Sequence, residues 1–222
     1  MTDEKKSQPL GCNHPGGYEG EKDFLNVDGP EQKLAKPTLL LHSCCGPCST
    51  AVMERLVEDY DVTVFFYNPN ITDAEEYERR KLAQKQCIKA FNGDPEQKGK
   101  VVFLEGPYDP QSFYAVAEAF AEEAEGGKRC ESCFKLRLIK TAETASLFNF
   151  DTFTTTLTVS PHKDYGAISA IAKKIAVSYG VGFLDMDFKK KAGFQRSIAL
   201  SKKYDLYRQR YCGCEYSKPE EE

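Results

Sequence analysis

From Thr38 onward the chain alternates short apolar runs with stretches whose apolar residues recur at helical spacing, and that alternation leaves few folds open. Thr38 to His42, Val62 to Tyr67, Val101 to Glu105 and Thr152 to Leu157 read as strands, followed by a short fifth near Gly182 to Asp187. Between them the spacing predicts helices over Ser49 to Tyr60, Ala74 to Phe91, Pro110 to Glu123, Ser132 to Phe148 and Tyr165 to Tyr179, with a last helix over Phe194 to Tyr204. Pro47 suits the opening turn of the first helix. Strands that alternate with helices pair in parallel through right-handed crossovers. The expected fold class is therefore α/β, a doubly wound, mostly parallel sheet of about five strands with helices on both faces.

Composition sets the boundaries of that core. The chain has 222 residues, 41% apolar and 29% charged, which suits one buried core and is too apolar for disorder. Residues 1 to 36 mix Gly, Pro and charge without hydrophobic period and are expected to form a flexible extension. Residues 37 to 222 are expected to form a single domain. No run approaches the roughly 18 uncharged apolar residues of a membrane helix, and the first residues lack the apolar stretch of a signal peptide. Neither a membrane nor a secreted protein is expected, and a cytoplasmic location is. The net charge of −4 announces no nucleic-acid partner in bulk, so such a partner would need a local patch.

The chain carries nine cysteines, and in a reducing compartment clustered thiols point to metal or redox chemistry before disulfides. Seven of the nine fall in three groups: Cys44, Cys45 and Cys48; Cys130 and Cys133; Cys212 and Cys214. The first follows the carboxyl end of strand one, where open α/β sheets bind ligands. The second opens a helix, where unpaired N–H groups and the dipole favour thiolate, with Lys128 and Arg129 adding to that. Structural zinc takes four thiolates, so seven exceed one zinc site. An iron–sulfur cluster would use four and leave three for redox work or a second metal. Iron–sulfur, zinc and thiol redox chemistry all remain open at this point. Cys45-Gly46-Pro47-Cys48 has the thioredoxin-like C-x-x-C form and keeps a dithiol oxidoreductase as an alternative function, although Cys44 adds a third adjacent thiol and the chain has no Trp. A disulfide between Cys212 and Cys214 would close a strained small ring, which suits a reversible pair; alternatively both face a metal and Gly213 supplies the turn. Cys87 reads as helix packing, and Cys12 as a bystander in the N-terminal segment.

The ordered motifs resemble a known family, the epoxyqueuosine reductases of the QueH type, from about Leu39 to Ser217. The residues that carry the resemblance are Cys44-Cys45-Gly-Pro-Cys48, Tyr67-Asn68-Pro69-Asn70-Ile71 with Glu76-Tyr77 and Arg79-Arg80, and Arg129-Cys130-Glu-Ser-Cys133. Thr154-Thr155-Thr156-Leu157 with Ser160-Pro161, Tyr207-Arg208-Gln209 and Tyr211-Cys212-Gly213-Cys214 complete it. The resemblance implies a Rossmann-like metalloenzyme that removes the epoxide oxygen of epoxyqueuosine at the tRNA wobble position by two-electron reduction, giving queuosine. It also implies that Cys44, Cys45, Cys130 and Cys133 hold a [4Fe-4S] cluster, that Cys212 and Cys214 form a redox-active pair, and that tRNA and an electron donor are the partners. An alternative division gives some of Cys48, Cys212 and Cys214 to one additional iron. Some members carry Asp where this chain has Cys48; Asp ligates iron but forms no disulfide, which favours the second-metal role for Cys48.

Substrate recognition should then appear as local positive charge. Residues 189 to 210 hold Lys189, Lys190, Lys191, Arg196, Lys202, Lys203, Arg208 and Arg210 against Asp205 alone, a net of +7. Lys189, Lys190, Lys191, Arg208 and Arg210 are the expected tRNA contacts, although such a run also suits a solvated helix face. Phe194, Tyr204, Tyr207 and Tyr211 interleave with it as stacking groups or as core. His42 and His162 with Lys163 could each be structural or a proton donor, and Tyr67 to Asn70 could hold ligand or simply make a turn. Two other function classes compete. A zinc-stabilised RNA-binding protein would keep the cysteines and the basic run without electron chemistry. A tRNA thiolation enzyme would need a Ser-Gly-Gly-x-Asp-Ser loop after strand one, where this chain has Ser43-Cys44-Cys45-Gly46-Pro47-Cys48.

Overall fold

A computed structural model describes residues 35–218. Residues 1–34, with Cys12 and nearly all of the expected N-terminal extension, lie outside the described residues, as does the acidic tail Glu220 to Glu222. Five strands form one sheet: β1 Thr38–Ser43, β2 Asp61–Phe66, β3 Val101–Glu105, β4 Thr152–Thr155 and β5 Gly182–Phe183. Their order is β3-β2-β1-β4-β5 and every pairing is parallel, with Leu40 opposite Thr63 on one side and Phe153 on the other.

The period of two along β1 divides the core between the faces. Leu39 and Leu41 pack with Val62 and Val64 under α1 Gly46–Leu56, α2 Ala74–Gly93 and the last helix, α6 Gly193–Lys203. Leu40 turns the other way and packs with Phe65 and Phe153 under α4 Lys128–Leu147 and α5 Tyr165–Tyr179. Helix α3 Pro110–Ala117 completes the set, resting on α4 through Phe113, Ala117 and Cys133. Asp73, Asp109 and Asp164 cap α2, α3 and α5 through two backbone N–H groups each, which is where Asp stabilises a helix start.

The chain runs outward from β1 through β2 to β3, then returns to pair β4 on the opposite side of β1. The crevice at the carboxyl ends of β1 and β4 is therefore the topological switch point, where sheets of this kind bind ligands. Cys44 follows β1 there and Thr156 follows β4, and the Cys44 N–H donates to Thr156 Oγ1 at 3.4 Å. Helices between parallel strands run back against them, so α4 also presents its N-terminus, with Cys130 and Cys133, at this edge.

Several element limits differ from the sequence reading. Helix α1 opens at Gly46 and ends at Leu56, not Tyr60; Gly46 lies against the Ala83 carbonyl of α2, where a Cβ would come within 2.7 Å. Helix α4 begins at Lys128 after Gly127 and so includes Cys130, four residues before the apolar period starts. After Thr155 the fourth strand passes into a 3₁₀ turn over Thr156–Val159, and β5 has only two residues.

Candidate functional site

The three cysteine groups meet at the carboxyl edge of the sheet. The sulfur atoms of Cys44, Cys45 and Cys48 lie within 4.8 Å of one another, on the β1 to α1 turn. Cys130, Cys133, Cys212 and Cys214 line a small pocket with Phe113, Phe134 and Arg137. Next to it lies a cleft of about 380 Å³ walled by Cys44, Cys48 and Cys212. Glu125, Arg137, Cys212 and Ser217 belong to both, so the two spaces share a wall. All eight cysteines among the described residues are free thiols, and Cys87 is fully buried in the core as packing.

Packing three thiols this closely separates their acidities. Hydrogen bonds from Cys45 and Cys48, with Lys163 and Arg137 nearby, pull the Cys44 thiol well below its usual range against the opposing effect of burial. The Cys44 thiolate in turn pushes Cys45 up to about 12, and the bond to Cys44 raises Cys48 well above normal. One proton leaves easily and the others are held by their hydrogen bonds to Cys44, by burial and by like-charge repulsion, so a cation is what would let all three ionise. Gln209 donates to Cys45 Sγ at 2.9 Å. Burial pushes Cys133 up to about 12 and raises Cys214, whose sulfur lies 3.3 Å from Ser217 Oγ.

The Tyr67 to Arg80 stretch positions the Cys212 loop. Asn68 Nδ2 donates to the Ser43 carbonyl at 2.9 Å, tying the β2 loop to the end of β1. Glu76 and Arg80, 4% and 1% exposed, form a 2.6 Å ion pair on α2. Arg80 donates Nη1 to the Cys212 carbonyl at 2.9 Å and Nη2 to the Tyr211 carbonyl at 3.2 Å, while Tyr207 Oη donates to Glu76 Oε2 at 2.9 Å. Asn70 adds a longer bond to the Cys212 carbonyl. At Gly213 φ is +120°, and a Cβ would meet Ile71 Cγ1 at 2.9 Å and Arg80 Nη1 at 3.0 Å, so only glycine lets the loop lie against α2. Glu76→Gln should therefore leave the Arg80 charge buried without its partner and lower unfolding free energy by about 3–5 kcal/mol, read from urea midpoints at constant slope.

His42 is structural. Its Nε2–H donates to the Tyr67 carbonyl at 3.1 Å and its Nδ1 accepts from Thr155 at 2.9 Å, and burial lowers its pKa to about 4, so it stays neutral. Lys163, by contrast, lines the cleft beside His162. Burial works against its ammonium, but the negative potential of Cys212 and Cys44 outweighs that and raises its pKa.

The basic run of residues 189–210 divides in space. Arg196 pairs with Glu54, and Lys203 with Asp94 and Glu96, so these serve the fold. Lys190 and Lys191 are exposed and hold Arg55 through their carbonyls, and Lys189 Nζ donates to the Lys163 carbonyl at 3.0 Å. Arg208 and Arg210 line the cleft together with Arg80, Arg137 and Lys163, against the single carboxylate of Glu125. Of the four interleaved aromatics, Phe194 and Tyr211 reach the cleft, whereas Tyr204 is buried with its hydroxyl on Asp94 and Tyr207 is held by Glu76.

A family model described as epoxyqueuosine reductase QueH matches residues 39–220. The chain belongs to that family. An epoxyqueuosine reductase QueH of Streptococcus pyogenes serotype M1 is 41% identical, covering 87% of this chain and 78% of the relative. One from Staphylococcus aureus strain Mu50 is 38% identical over 84% and 78% of the two chains, and one from Thermotoga maritima is 34% identical over 81% and 90%. The chain is thus an oxidoreductase of the QueH family with a three-cysteine group able to bind metal.

The donor set fits a thiolate-bound metal group. Soft thiolates select zinc, copper(I) or iron–sulfur, and seven of them share this edge. Arg137 Nη2 is buried without a partner beside them, which anionic sulfur would satisfy. In the sequence Glu76 and Arg80 stand out only as part of the family motif, with no role attached, and Arg137 carries no signal. The pair at positions 76 and 80 carries the i, i+4 signature of a surface ion pair, and only its burial marks it as different.

Proposed function

We propose that this chain converts epoxyqueuosine in tRNA to queuosine, in the cytoplasm, using a [4Fe-4S] cluster and electrons from an external donor. The observation that carries the reading is a cation-walled cleft of about 380 Å³, lined by Cys44, Cys48 and Cys212 and in the size range of small-molecule sites, that shares a wall with the smaller space lined by Cys130, Cys133, Cys212 and Cys214. In this reading Cys44, Cys45, Cys130 and Cys133 hold the cluster. Cys212 and Cys214 form a redox pair, and Cys48 serves one additional iron. No helix among the described residues is long and apolar enough to cross a membrane.

Removing the epoxide oxygen breaks two carbon–oxygen bonds and forms one carbon–carbon double bond, so it consumes two electrons and two protons and releases water. When bound, the metal group supplies single electrons and Lewis acidity. Oxidising Cys212 and Cys214 to a disulfide releases two electrons and two protons, the number the reaction consumes, and the donor then returns the pair to thiols. Lys163 keeps a proton on Nζ at the cleft wall, where it can reach a departing oxygen. Arg80 and Gly213 fix the loop that carries both thiols.

Arg208 and Arg210 bind tRNA phosphates at the cleft mouth, and Lys189, Lys190 and Lys191 extend the contact. Arg208→Ala and Arg210→Ala should each weaken tRNA binding across sequences and reduce the slope of log K against log salt by about 1. A filter-binding series at several salt concentrations checks this, with Lys173→Ala as a control away from the cleft, since Lys173 pairs with Asp185. The reaction itself is tested by incubating anaerobically loaded protein and reductant with epoxyqueuosine tRNA and analysing the nucleosides by mass. Queuosine, lighter by one oxygen, is the expected product; unchanged epoxyqueuosine with fully loaded protein would overturn the reading.

A further inference from the structure

Arg137 lies on α4 one turn after Cys133 and is 1% exposed. Its Nε donates to the Cys133 carbonyl at 3.3 Å and its guanidinium sits 5.7 Å from the centre of the Phe134 ring. Nη2 is buried with no partner, and among the described residues no carboxylate forms an ion pair with the side chain. A buried charge left this way costs several kcal/mol unless something negative answers it. The neighbouring Arg129 also has one buried nitrogen without a partner, Nε, but its Nη1 is turned to the carbonyls of Phe120, Ala121 and Glu123, so its charge is answered by backbone. Arg137 instead lines both spaces that the cysteines wall, facing Cys44, Cys48 and Cys212 on one side and Cys130, Cys133 and Cys214 on the other.

We propose that Arg137 is the buried counter-cation of the thiolate-bound cluster and raises its reduction potential. The inference rests on the proposed function above insofar as that reading supplies the cluster, but it holds for any division of the cysteines, since Arg137 borders all three groups. Reduction adds one negative charge to the bound group. A fixed, buried cation in the wall of the same space stabilises the reduced form more than the oxidised one, and so moves the potential upward. Arginine suits this position because it remains charged when buried. In this role it acts through the thiolates and is a positioning residue.

The test compares Arg137→Met and Arg137→Lys with wild type, loaded with iron and sulfide anaerobically, without tRNA, and titrated with dithionite while the visible spectrum is followed. Arg137→Met should move the midpoint to more negative potential, and Arg137→Lys should stay near wild type. If the Met variant fails to hold iron, the proposal still requires the Lys variant to load normally. A Met variant that loads and titrates at the wild-type midpoint would overturn it. So would Met and Lys variants shifted equally or equally unable to load, since shape and not charge would then matter. Wild-type protein that takes up no cluster would overturn the proposed function itself, a failure distinct from an unshifted midpoint in a loaded variant.

Discussion

Serine in place of Cys130 or Cys133 should strip iron from the protein and abolish turnover while leaving the fold standing. Serine is nearly isosteric, but its hydroxyl is a hard, weakly acidic donor where the site needs a soft thiolate. Both residues lie in the first two turns of α4, and Cys133 packs with Phe113 and Ala117, so the exchange removes little buried volume. Iron content should fall by at least about tenfold, a scale that loss of even an outer-shell partner reaches. Far-ultraviolet circular dichroism should remain that of wild type. Undiminished iron in either variant would remove that residue from the cluster ligands.

Cys214→Ser should give the opposite pattern, with visible absorption retained and turnover lost. The thiol is 7% exposed and its sulfur sits against Ser217, on the loop that Gly213 and Arg80 hold in place. Without it the Cys212 thiol has no near partner on that loop and cannot return two electrons as a disulfide. Activity should fall by about 100-fold or more, comparable with losing a direct chemical participant. Steady-state turnover on epoxyqueuosine tRNA, measured beside the iron content of the same sample, separates the outcomes. Loss of iron together with activity would instead assign Cys214 to a metal.

Much of this architecture was legible in the sequence because the relevant signals are local. The switch between period two and helical period marked five strands and six helices, and the parallel order brought the cysteines at the end of β1 and the start of α4 to one edge. Limits were less legible, since a helix start depends on which N–H groups find partners. Helix α4 opens at Lys128 on Gly127, in a stretch with no apolar period of its own. The basic run showed charge but not its division, because the acids that take up Arg196 and Lys203 come from α1 and from the loop after α2. Arg137 was invisible for a similar reason. An arginine in an amphipathic helix reads as solvated, and its burial arises from the C-terminal segment folding back over the same edge.

The central claim is that these cysteines hold an iron–sulfur cluster that reduces a modified tRNA. Its most direct test is an anaerobic visible spectrum with iron and sulfide analysis of freshly purified protein, repeated on the same sample after epoxyqueuosine tRNA is added. The account predicts about four irons and four sulfides per chain, with one further iron where the second site is filled, a broad visible absorption that bleaches with dithionite, and recovery of colour as reduced protein turns over. A colourless protein that carries zinc and binds tRNA without changing it would contradict the account and leave an RNA-binding protein in its place.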